Sequence, residues 1–95
     1  MLSEQLELER RRIAARARVY NNLVIYSVAV TLGAAVHDPY ADHCSMGGQK
    51  TALQKLAKRP EGDVTGNLAR DLLQLMEKMR EGPACTNTAA SNPQP

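Results

Sequence analysis

The feature that most restricts how this sequence can fold is a run of eighteen residues without one charged side chain, Val19 to Val36, which follows a segment carrying Arg10, Arg11, Arg12, Arg16 and Arg18. Such a run must be covered, either by protein or by lipid. Asn21 and Asn22 shorten its apolar part to Leu23–Val36. As a helix that part measures about 21 Å, against a hydrocarbon core of roughly 30 Å. Ser27, Thr31 and Gly33 dilute it further. A single-pass membrane anchor with its N-terminus cytoplasmic, the side on which the arginines belong, is therefore an alternative, and cover by protein is the expectation. A strand is the other local possibility. Val24, Tyr26, Val28 and Val30 alternate with smaller residues, and Asn21-Asn22 can turn the chain. No other segment offers a second strand, and an unpartnered strand leaves its backbone groups unsatisfied, so helix is preferred.

Upstream, nothing interrupts a helical pattern. Ser3 can cap it, and Glu4 and Glu7 suit its positive end. Glu7 faces Arg11 and Glu9 stands three residues before Arg12, a self-supporting exposed face. Leu6, Ile13 and Tyr20 recur every seven residues with Ala17 and Val24 beside them. The pattern predicts one long N-terminal helix over about 3–37, ended by Pro39. It would be about 50 Å long, more than the rest of the chain can cover.

Residues 38–50, with Pro39 and Gly47-Gly48, read as a loop. A short helix at about 52–58 follows, with Thr51 and Gln54 at capping-box spacing and Leu53, Leu56 and Ala57 facing inward. Pro60 and Gly62 stop it. Asp63 caps an amphipathic helix over about 64–81, whose inner face is Leu68, Leu72, Leu75, Met76 and Met79, and Gly82-Pro83 ends it. The remainder, 83–95 (PACTNTAASNPQP), is too small and polar to offset its ordering entropy and reads as a flexible tail. The fold class is therefore all-α: a small helical bundle or hairpin forming a single domain over 1–82.

Chemistry is harder to find. GGQKT at Gly47–Thr51 has Gln49 between glycine and lysine, lacks the earlier glycine and follows no strand, so it is not a phosphate-binding loop. His37, His43, Cys44 and Cys85 match no common zinc spacing. A Cys44–Cys85 disulfide is arithmetically possible, but two free thiols in a reducing cytosol is the plainer reading. His43 and Cys44 are neighbours with no third group to orient them as base and nucleophile. No catalytic residue, cofactor site or metal site is assigned, and the chain is read as not an enzyme. A secretory signal is disfavoured by the acidic leading segment.

The formal net charge is only +2, but the basic residues cluster at 10–18 and again at Lys50, Lys55, Lys58 and Arg59. The first cluster can attract nucleic acid, a second alternative, although no aromatic platform accompanies it. The favoured reading is a cytoplasmic helical protein–protein interaction module, an adaptor, inhibitor or accessory subunit. It would act as a homodimer or within a larger complex, because the apolar run exceeds what this chain can wrap. In the expected bundle Leu6, Ile13, Tyr20 and Val24 meet Leu68, Leu72, Leu75 and Met79. Partner contacts are assigned to Arg11, Arg12, Arg16, Tyr20, Val24, Met76 and Met79, with the basic face steering an acidic partner.

Overall fold

A computed structural model describes the backbone of residues 2–37 and 46–80, and the side chains of 4–36 and 46–80. Among these residues all regular structure is helical: α1 (Leu2–Val19), α2 (Leu23–His37), α3 (Gly47–Ala57) and α4 (Val64–Arg80). The all-α bundle expected from the sequence is the fold. Of the loop expected at 38–50, residues 47–50 instead form the first turn of α3, while 38–45 lie outside the described residues, as does the tail at 83–95.

The long first helix is not continuous. It divides at 20–22, where Asn21 adopts a left-handed φ of 53°. The Asn22 N–H donates to the Ala17 carbonyl at 2.9 Å and the Asn21 N–H to Arg18 at 3.1 Å. These two bonds form a Schellman closure with asparagine where glycine is usual. Asn22 also opens the next helix, its carbonyl accepting the Tyr26 N–H at 2.9 Å. Its side chain crosses to the first turn of α4, Nδ2 donating to Thr65 Oγ1 at 2.8 Å. The break solves the length problem posed by a 50 Å rod, since α2 folds back along α1 as the second arm of a hairpin. It also changes which side chains reach the core. Tyr20 and Val24, expected to meet α4, are 55% and 39% exposed.

Alanine lets the two arms approach closely: Ala14, Ala17, Ala29 and Ala35 are buried between larger Ile13, Ile25, Val28 and Leu32. α4 packs antiparallel to α1, an orientation marked by Glu9–Lys78 and Arg16–Asp71, each at 3.8 Å. Glu9 thus pairs across helices and not with Arg12. From α4 come Leu68, Ala69, Leu72, Leu75 and Met79, joined by Leu53 and Met46 from the α3 segment. This aliphatic core, free of Phe and Trp, relies on burial of about 1.5–3 kcal/mol per large side chain.

Two boundaries differ from expectation. α1 already begins at Leu2, so Ser3 stands within the helix and not ahead of it. α3 begins at Gly47, so Thr51 lies inside it and its hydroxyl bonds back to the Gly47 carbonyl at 3.0 Å, which removes the Thr51–Gln54 capping box. The α4 cap is as expected, with the Gly66 N–H donating to Asp63 Oδ2 at 2.8 Å. Pro60 and Gly62 turn the chain ahead of it, the Asp63 N–H reaching the Pro60 carbonyl with Gly62 at φ 94°. Arg70 closes the other side of that turn, Nη1 donating to the Ala57 carbonyl at 2.7 Å and to Arg59 at 3.0 Å. A guanidinium there satisfies carbonyls left open at the end of α3 and meets its negative dipole end.

Candidate interaction surface

The hairpin buries one side of α2 and leaves the other in solvent. Ile25, Val28, Ala29, Leu32 and Ala35 point inward, all under 5% exposed. Leu23, Val24, Ser27, Val30, Thr31 and Ala34 point outward. Leu23 is 73% exposed and Val30 41%. An exposed helix face normally carries charge, and this one carries none along its full length. Val19 at 78%, Tyr20 at 55% and Val64 at 37% are exposed as well, Tyr20 and Val64 lining a separate depression with Arg16, Asn67 and Leu68. Along one edge, Leu23, Val24 and Ser27 face Gly48, Gln49 and Ala52 of α3 across an open groove.

The arginines do not form one basic face. Arg10 turns in between α1 and α2, lying across Gly33 so closely that a Cβ there would meet its side chain. It bonds the buried Glu7 carboxylate, which also accepts from Arg11 Nε at 2.9 Å. Burial alone would raise the Glu7 carboxyl, but the hydrogen bonds and charges of Arg10 and Arg11 together outweigh it and hold the group below its ordinary value. Arg16 pairs with Asp71. Arg18 lies over the Tyr26 ring, 5.6 Å from its centroid. Among the described residues only Arg12, of these five, lacks an ion pair or ring contact.

The side chains assigned to partner contact therefore separate. Val24 lies on the apolar surface, Tyr20 lines the separate depression with Val64, Arg11, Arg12 and Arg16 are exposed on α1, Met76 is partly covered, and Met79 is 7% exposed within this chain's own core. The structure adds Leu23, Ser27, Val30, Thr31 and Ala34, which the sequence reading did not single out as a surface. Their signal was the 4-3-4 spacing of 23, 27, 30 and 34 inside the uncharged run.

Among the described residues no three His, Cys, Asp or Glu side chains come together as metal ligands. His43, Cys44 and Cys85, with the zinc and disulfide arrangements weighed for them, lie outside the described residues, as does the His37 side chain. Comparison with known proteins finds no matching family, curated protein or solved structure.

Proposed function

We propose that this chain is a non-enzymatic helical interaction module, an adaptor, inhibitor or accessory subunit, that works by docking protein on the outer face of α2. The observation that supports the reading is the uncharged, solvent-facing strip of Leu23, Val24, Val30 and Ala34 beside an already complete core. A helix face kept apolar when the core does not need it is best explained by something that covers it. A cytoplasmic setting accompanies this proposal. The two alternatives have less support. No described helix is long and apolar enough to cross a membrane, and the arginines that would attract nucleic acid point in several directions, four of them engaged with Glu7, Asp71 or Tyr26.

The test is site-specific photo-crosslinking in the source cells. A benzophenone side chain replacing Val30 should trap one protein adduct of defined mass, and the same group at Gln54, on the outer side of α3, should not. Absence of any adduct from position 30 would overturn the interaction reading.

A further inference from the structure

The outer strip of α2 has the pattern of one half of an antiparallel two-helix seam, and we infer that its occupant is the same strip of a second copy. This inference rests on the interaction reading above and specifies its partner. Leu23, Ser27, Val30 and Ala34 lie on one line of the helix at intervals of four, three and four residues. That spacing keeps two helices in contact along a shallow left-handed crossing of about 20°. Their sizes alternate. In an antiparallel pair centred between residues 28 and 29, Leu23 meets Ala34 of the second copy and Ser27 meets Val30 of the second copy. Each large side chain then fills the space beside a small one, four times over by symmetry. A parallel pair would set Leu23 against Leu23 and Val30 against Val30, with gaps at Ser27 and Ala34. A two-fold interface needs a surface complementary to itself, and this strip has that property in only one direction.

Charge supports the same occupant. No residue from Val19 to Val36 is ionised, so two copies can meet on the strip without opposing like charges or burying one. The area places the interface in a class. Fifteen residues of helix present a strip about 22 Å long and roughly 10 Å wide, a footprint of about 220 Å² per copy. That is under half of the roughly 800 Å² per partner of a standard interface. An interface of that size belongs with weak, transient ones, so the dimer is reversible.

Sedimentation equilibrium of the full chain between about 1 and 500 µM should show mass rising from 10.4 kDa toward twice that value. Val30→Arg, which brings two cations together near the axis, should raise Kd at least about 10-fold. The register is tested by size. Leu23→Ala and Ala34→Leu should each weaken the dimer about 5- to 10-fold, and the double variant L23A/A34L should return to within about 3-fold of the parent. All three positions are solvent-facing in the single copy, so circular dichroism should show unchanged helix content.

Tighter association of Ala34→Leu would mean indiscriminate apolar adhesion and overturn the register. A chain that stays monomeric at 500 µM overturns the second copy, and so does binding of the monomer to zwitterionic phosphatidylcholine vesicles that Val30→Arg abolishes. A position-30 adduct with the mass of a different protein would then leave the interaction reading standing, and no adduct would remove both.

Discussion

Gly33→Ala should lower stability in the parent chain and raise it once Arg10 is gone. Alanine is favoured over glycine inside a helix by about 0.8–1.0 kcal/mol, so without other effects the substitution would stabilise α2. A Cβ at position 33, however, would stand 2.2 Å from Arg10 Nε and 2.6 Å from Cζ. The guanidinium must swing aside and give up its bond to the buried Glu7 carboxylate. A charge-assisted hydrogen bond contributes about 1.5–3 kcal/mol. Glu7 keeps Arg11 at 2.9 Å, and the buried Arg10 Nε has no hydrogen-bond partner among the described residues, both of which place the loss at the low end. The net effect is destabilisation by about 0.5–1 kcal/mol, or a Tm lower by about 2–8 °C. In an Arg10→Ala background the three atoms nearest the new methyl, Arg10 Nε, Cζ and Cδ, are gone, and the same change should stabilise by about 0.8–1.0 kcal/mol. Urea unfolding of the four proteins, followed by circular dichroism, gives a coupling of about 1.5–2 kcal/mol. Stabilisation by Gly33→Ala in both backgrounds, with a coupling under about 0.5 kcal/mol, would refute the reasoning.

The same cluster fixes an acid dependence. Because the Glu7 carboxyl sits below its ordinary value in the folded chain, its contribution is fully present above the unfolded-state value of about 4.3 and is lost as pH falls through the folded one; the stability gap between the parent and Glu7→Gln should shrink to nothing in urea titrations carried from pH 7 into that acid range. Arg70→Ala, which opens the Ala57 and Arg59 carbonyls, should cost about 1.5–3 kcal/mol, and Arg70→Lys should recover less than half, since an ammonium lacks the planar fork; full recovery by lysine would contradict the capping role. Asn21→Gly should be neutral or stabilising by up to about 1 kcal/mol, whereas Asn21→Ala should cost about 1–2 kcal/mol, because the left-handed φ of 53° suits only the former; equal thermal midpoints for the two would contradict it.

Much of the bundle can be read from residue spacing. Leu68, Leu72, Leu75 and Met79 are buried where their periodicity puts them, and Asp63 caps α4 as its position before Val64 suggests. The hairpin break was less legible because helical periodicity runs through Tyr20 without a proline or glycine, and asparagine only tolerates the left-handed turn that glycine would announce. The orientation of Arg10 was not legible. Its neighbours on the chain are arginines that do face water, and only Gly33, twenty-three residues away, leaves the room that draws it inward. The outer α2 strip was visible as a composition but not as a surface, since an all-round apolar run does not say which side the core will take. Ile25, Val28 and Leu32 took one side, and the smaller alternation of Leu23, Ser27, Val30 and Ala34 was left on the other.

The closure at Asn21 has a consequence for how copies of this chain can entangle. The two arms of the hairpin are joined by three residues, 20–22, and their inward faces belong to what is otherwise one uninterrupted helical pattern. A substitution that forbids the left-handed turn would favour straightening the joint, and α2 would then find its native seat on α1 of a neighbour. Every contact inside the bundle would survive such an exchange except the joint itself. One backbone angle therefore separates a chain that closes on itself from one that trades arms.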